Sequence, residues 1–194
     1  MFTGIVEQIG KVKKINGNRF TISHDFDEKL KAGESVAMSG MCSTILEFTD
    51  QNFTVEIMQE SQDRTTFAKT SVGEMVNLER AAKIGDRNSG HFMTGHIDEV
   101  GEILSRERVG DYWKFRIRFS AKNAALVVEK GSVSIDGVSL TISELGKNWF
   151  EVAIISHTFD TTTFHQKKGG DKVNLEFDIL GKYILRANEL GEIS

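Results

Sequence analysis

The run Phe53-Thr54-Val55-Glu56-Ile57 alternates apolar and polar side chains strictly, which predicts a strand with one buried face. Phe150-Glu151-Val152-Ala153-Ile154 follows the same beat, and so does the stretch 113–119. Several such short runs, parted by Gly and Asn turns, predict a mainly β chain closed into a barrel or folded as a sandwich. Closure would remove exposed strand edges. One short helix in each half is predicted, over 25–32 and 121–129. In the tail, 179–190, Ile, Tyr, Leu and Ala recur at helical spacing and predict a C-terminal helix.

The pattern is written twice. Shifted by 97 positions, residues 35–79 lie on 132–176 without a gap, and eighteen of these forty-five positions are identical. Val76-Asn77-Leu78-Glu79 meets Val173-Asn174-Leu175-Glu176. Asp63, Thr65, Thr66 and Phe67 meet Asp160, Thr162, Thr163 and Phe164. Nearer the start of each copy the shift is 91: Thr3-Gly4-Ile5-Val6-Glu7 meets Thr94-Gly95-His96-Ile97-Asp98. The second copy therefore holds six extra residues, expected in the charged stretch 106–111. The polar, turn-rich segment 82–90 reads as the boundary. Stacked-repeat folds need at least three units, so two repeats predict a tandem pair of small barrels: 1–86, 87–178, and a helix over 179–194.

Composition narrows the function. The chain has 194 residues, 39% hydrophobic, with a net charge of −4 and a pI of about 5.8. Phosphate-backbone binding needs a basic surface, so nucleic acid and anionic membranes are poor partners. No apolar run nears the roughly 20 residues of a membrane span, and the start does not read as a signal peptide. Cys42 is the single cysteine, so neither an internal disulfide nor a cysteine-rich metal site is available. These features fit a reducing cytoplasm. Proline is absent, and the 18 glycines with Asn, Asp and Ser must make the turns.

Nucleotide signatures are missing: no Gly-x-Gly-x-x-Gly opens a helix, and there is no Walker sequence. The histidines show no metal-ligand spacing, so no metal is expected. A polar cluster recurs at one place in each copy, Gly40-Met41-Cys42-Ser43-Thr44 and Gly137-Val138-Ser139-Leu140-Thr141. Cys42 and Ser139 are equivalents, as are Thr44 and Thr141. The pattern fits a ligand-facing strand after a close-approach glycine; it equally fits a turn whose threonine faces solvent. His96 has Ile5 as its counterpart, so the copies share a shape and differ in chemistry. Imidazole is the side chain best matched to proton transfer near neutral pH.

The opening Met1-Phe2-Thr3-Gly4-Ile5-Val6-Glu7, the central run Ser89-Gly90-His91-Phe92-Met93-Thr94-Gly95-His96-Ile97-Asp98, the stretch Ile135-Asp136-Gly137-Val138-Ser139-Leu140-Thr141, and Val173-Asn174-Leu175-Glu176 with Asp178 are specific in combination. Together they resemble the riboflavin synthase family of tandem-barrel, lumazine-binding proteins, along essentially the whole chain. The resemblance implies two six-stranded Greek-key barrels and a C-terminal helix that joins three chains. It implies one 6,7-dimethyl-8-ribityllumazine per barrel, two per chain, in a working site between the N-barrel of one chain and the C-barrel of its neighbour. The reaction it implies is a dismutation by four-carbon transfer, giving riboflavin and 5-amino-6-ribitylaminouracil without a metal or redox cofactor. It leaves association with lumazine synthase open.

By position the resemblance assigns substrate contacts to Gly4, Ile5 and Val6; to Cys42, Ser43 and Thr44; and to Glu56, Ile57, Met58, Gln59, Glu60 and Ser61. In the second half it assigns Gly95, His96 and Ile97; Lys130; Ser139, Leu140 and Thr141; and Ala153, Ile154, Ile155, Ser156, His157 and Thr158. For chemistry it singles out Ser139, Thr141, Cys42, His96 and Asp178, with Phe2 and Lys130 in support. His96 is expected to transfer protons, and Ser139 and Thr141 to orient the ring or activate a nucleophile at C7. Ser39 stands where the family often has Asn, Ser43 where it has Leu, and Gln59 and Ser156 where it has Pro. Most departures fall in the first barrel. The rival reading is a non-catalytic lumazine- or flavin-binding antenna protein, which would keep the barrels and lose polar site residues.

Overall fold

The computed structural model describes residues 1–191. Its first six strands, β1 (Gln8–Asn16), β2 (Arg19–Ser23), β3 (Ser35–Met38), β4 (Met41–Phe48), β5 (Asn52–Glu56) and β6 (Met75–Arg80), close into an antiparallel barrel in the order β1-β2-β5-β4-β3-β6. The second copy repeats that order with β7 (Glu99–Val109), β8 (Tyr112–Arg118), β9 (Ser132–Ile135), β10 (Val138–Leu145), β11 (Trp149–Ile155) and β12 (Lys172–Phe177). Register slips between Val12 and Lys14 and between Ile45 and Glu47 recur at Ile103/Ser105 and Ile142/Glu144. Such bulges sharpen strand twist and let a short sheet close. The interiors are twins as well. Phe20, Ile22, Val36, Ile45, Phe53, Val55 and Leu78 fill the first barrel; Phe115, Ile117, Val133, Ile142, Phe150, Val152 and Leu175 fill the second.

The six extra residues divide. Asn16 pairs with Arg19 across a two-residue turn, while the equivalent pair Glu107 and Lys114 encloses two further pairs, Arg108 with Trp113 and Val109 with Tyr112. Four of the six thus lengthen the second hairpin, around the stretch expected; the other two lie between β8 and β9, outside it.

The expected helix over 25–32 does not form. Side chains there take the backbone donors: Gln8 accepts from Asp25 N, His24 Nδ1 from Phe26 N, and Asp27 from Glu28 N. Local bonds of this kind compete with helix. Its counterpart shortens to a 3-10 helix over Ala121–Leu126 instead of 121–129. Four helical turns have no counterpart in the sequence reading, α1 (Gln59–Asp63), α2 (Ser156–Thr161) and the 3-10 turns Thr66–Lys69 and Thr163–Gln166, each too short to carry a readable period. Helix α3 (Ile179–Glu189) begins where expected, with the Asp178 carboxylate accepting from Leu180 N at 3.0 Å. Residues 192–194 of the expected unit lie outside the described residues.

Two asparagines lock the barrels together. Asn77 Nδ2 donates to Asp136 O, and its Oδ1 accepts from Thr163 N, both at 2.8 Å. Asn174 does the same in reverse, donating to Ser39 O at 2.9 Å and accepting from Thr66 N at 2.8 Å. Ser39-Gly40 and Asp136-Gly137 are two-residue hairpin turns with positive φ at both positions, the type that joins tight hairpins. The turns back onto each other. Asp136 Oδ1 accepts from Asn174 N at 2.8 Å, and Ser39 Oγ fills the same role toward Asn77 N at 3.3 Å. No helix among the described residues is long and apolar enough to cross a membrane.

Candidate active site

The segment preceding each barrel's first strand crosses to the other barrel. Gly4 O accepts from Ser139 N and Gly95 O accepts from Cys42 N, both at 2.9 Å. Val6 packs against the second barrel's core, and Ile97 is part of the first barrel's. The sequence halves therefore do not map onto the sites: Gly95, His96 and Ile97 serve the first barrel, and Gly4, Ile5 and Val6 the second. Carboxylates hold the crossings in place. Glu79 accepts from Thr3 N, Thr3 Oγ1 and Gly4 N; Glu176 accepts from Thr94 N, Thr94 Oγ1 and Gly95 N. Burial pushes the Glu79 carboxyl up, against the pull of those donors. Gly4 and Gly95 have φ of 78° and 79°. A methyl group on Gly4 would fall 2.6 Å from Ser139 Cβ, and one on Gly95 2.5 Å from Cys42 Cβ. Glycine is what lets these crossings lie flat on the opposite strand.

The first-barrel cleft, about 410 Å³, brings together Cys42, Glu60, Ser61, Gly95, His96 and Ile97 from the expected set. Met41, Arg64, Thr65 and Asp98 also line it and were not foreseen. Thr65 had a signal in its repetition as Thr162, and Met41 and Asp98 stand inside the motifs quoted above; Arg64 had none. Cys42 and Thr44 face outward on β4, whereas Ser43 is buried and can meet a ligand through its backbone alone. Ile57 is likewise core. Glu56 accepts from Asn18 Nδ2 at 2.7 Å and does not line the cleft, and Gln59 donates to Asp63. Met58 and its twin Ile155 stand exposed just before α1 and α2, and Met58 does not line the cleft. A larger groove, about 650 Å³, runs between 28–35 and 79–87. Its walls carry ion-paired charges such as Arg80 with Glu7 and Lys83 with Glu28, and Ile5 alone of the expected residues reaches it.

On the second barrel Ser139 and Thr141 point outward from β10, while Leu140 packs against the core and Ile154 lies within it. Ala153 and Ile155 are exposed on β11, and α2 carries Ser156, His157 and Thr158. Ser156 Oγ donates to Asp111 O on the lengthened hairpin. The expected chemical groups are thus split between two places, Cys42 with His96 and Ser139 with Thr141. His91, quoted in the motif but given no role, reaches Ser139: its Nδ1 stands 2.7 Å from Ser139 Oγ. Phe2 is buried in a small cluster with Met93 and Ala37, against which Cys42 packs. Its side chain thus backs the site from inside. Asp178 is half-buried and caps α3.

Lys130 has φ of 65°, where its counterpart is Gly33 with φ of 89°. A side chain in this region is strained by roughly 1–2 kcal/mol, and such strain collects at functional positions. Lys130→Gly is expected to raise Tm by about 1–4 °C, from roughly 0.5–1 kcal/mol of relief offset by backbone entropy. A melting curve checks the shift; a lower Tm would remove the strain argument.

Residues 3–81 and 94–178 each match the family model described as the lumazine binding domain. The chain is 38% identical to the riboflavin synthase of Brucella abortus (strain 2308) over 196 residues, covering 96% of this chain and 97% of that protein. It is 40% identical to that of Mycobacterium tuberculosis (strain ATCC 25618 / H37Rv), with the same coverage, and 36% identical to that of Bacillus subtilis (strain 168), covering 96% and 89%. The solved structure of LumP complexed with 6,7-dimethyl-8-(1'-D-ribityl) lumazine superposes with a TM-score of 0.82 at 26% identity, covering 91% of this chain and 99% of that one. LumP complexed with riboflavin gives 0.84 with the same identity and coverage.

Proposed function

The chain belongs to the riboflavin synthase family, and from that premise we propose that it converts two molecules of 6,7-dimethyl-8-ribityllumazine into riboflavin and 5-amino-6-ribitylaminouracil. One lumazine gives up a four-carbon unit and the other takes it up. The observation that carries this reading is the doubling: the outward faces of β4 and β10 are built from the same elements, and each is crossed by a segment of the other repeat. Such a frame can hold two identical rings. Ordering both reactants removes much of the entropic barrier to a bimolecular step. The substrate's 7-methyl group is acidic because its carbanion delocalises into the ring, so modest proton transfer and anion stabilisation suffice.

In this proposal His96 moves the proton at the first-barrel cleft, where it lies beside Cys42, and Ser139 and Thr141 orient the ring on the second barrel. The units divide at 86 and 178. Leu180, Tyr183 and Ile184 form an exposed apolar face on α3, which supports assembly into a homotrimer with a working site between neighbouring chains.

LumP favours a second reading, an antenna that binds without turnover. The identity of 36–40% to synthases against 26% to LumP favours the enzyme. Incubating the protein with the lumazine and following flavin absorbance decides. Turnover is expected, with His96→Ala slowed by about 100-fold. Stoichiometric fluorescent binding without product would establish the antenna, and full turnover by His96→Ala would remove the proton-transfer role.

A further inference from the structure

Ser139 is held from behind by a histidine to which the roles above give no task. His91 Nδ1 lies 2.7 Å from Ser139 Oγ, and the residue is 8% exposed. Its backbone N–H donates to Thr3 O at 3.2 Å, tying it to the crossing segment. Gly90 permits the approach: a methyl group there would stand 1.9 Å from Thr3 O and 3.0 Å from Ser139 Cβ. The other ring nitrogen, Nε2, is buried and bonded to nothing among the described residues. Leaving a buried polar atom unpaired is disfavoured. Packing alone would be served better by an apolar side chain, so the retained imidazole points to a task. Burial pushes the His91 imidazole below its ordinary range, while the carboxylates of Asp178 and Glu176 pull the other way.

We propose that His91 is a positioning residue for the second-barrel site, accepting the Ser139 hydroxyl proton at Nδ1 so that the Oγ lone pairs face the bound ring. The ring hydrogen then sits on Nε2, and Oγ is free to accept a hydrogen bond from a group adding at C7. This rests on the lumazine-converting function proposed above. Protonation turns Nδ1 into a donor, reverses the bond and swings the hydroxyl proton toward the ring. Turnover should therefore fall on the acid side, with a limb below the ordinary imidazole range. Cys42, the twin of Ser139, has a different companion, the exposed His96 of the crossing segment. The two sites are thereby unlike, as a donor and an acceptor of carbon need to be.

The test compares the full-length protein with His91→Ala and His91→Asn, since Asn keeps a polar atom near the Nδ1 position and does not titrate. Turnover from about pH 5 to 9 and lumazine affinity by fluorescence are read for each. His91→Ala should lose about 100-fold in kcat with lumazine Kd changed less than about threefold. His91→Asn should recover about tenfold of that loss and lack the acid limb. An acid limb unchanged in His91→Asn, or a His91→Ala kcat within about threefold of the parent, overturns the assignment. Should His91→Ala not fold, the His91→Asn profile decides alone. A parent protein that binds lumazine and never turns it over overturns the enzymatic reading itself, and this inference with it.

Discussion

Gly95→Ala is expected to empty the first-barrel cleft while the second site still fills. The added methyl group would lie 2.5 Å from Cys42 Cβ and 2.8 Å from Cys42 N, at a φ of 79°. Relief requires the crossing segment to lift off β4. That breaks the bond from Cys42 N to Gly95 O and draws Ile97 out of the first barrel's core. Loss of one buried aliphatic side chain is worth about 1.5–3 kcal/mol, and the left-handed backbone adds about 1–2. His96 leaves with the segment, so turnover should fall by at least about 100-fold. Calorimetry should count one lumazine per chain in place of two. Gly33→Ala is the control: it has a φ of 89° and no atom within 4 Å of the new methyl group, so it feels the backbone strain and not the clash. A Gly95→Ala protein that binds two ligands and turns over normally would show that the crossing does not build the cleft.

Asn77→Ala should produce the largest loss of stability. It strands Asp136 O and Thr163 N, both in buried surroundings in the other repeat. At about 1–3 kcal/mol for each orphaned group, the loss is roughly 2–6 kcal/mol. For a chain of this length that lowers Tm by about 5–15 °C. The barrels should also lose their coupling, so that one calorimetric transition broadens or splits into two. A single transition within about 1 °C of the parent would mean the asparagines do not join the barrels.

The barrels were legible because the repeat doubles every signal. A lone alternation such as Phe53 to Ile57 is weak, but its return 97 residues later at Phe150 to Ile154 is not chance, and both became strands. The second hairpin's extra length showed in the charged run beside Asp111. The segment 25–32 misled because its composition suits a helix while Asp27 and the neighbouring Gln8 and His24 side chains take its backbone donors. On β4 and β10 the resemblance named Cys42, Ser43 and Thr44 and Ser139, Leu140 and Thr141 alike; the strand's period of two keeps Cys42, Thr44, Ser139 and Thr141 outward and turns Ser43 and Leu140 inward. The exchange of segments was not legible. Its backbone bonds, from Ser139 to Gly4 and from Cys42 to Gly95, leave no mark on residue choice beyond the glycines, and the repeated Glu79 and Glu176, like Val6 and Ile97, do not say which barrel each segment meets. His91 was overlooked for a similar reason: its meaning depends on Ser139, 48 positions away.

The traded segments bear on how a protein of this shape comes into being. A solitary half would own a loose arm and an empty socket, and arm and socket fit. Two identical halves would clasp each other, as swapped dimers do. Fusing them turns a meeting between molecules into one within a molecule, at an effective concentration of order millimolar. Once fused, the arms need no longer match, and Ile5 and His96 are what that freedom looks like in this chain.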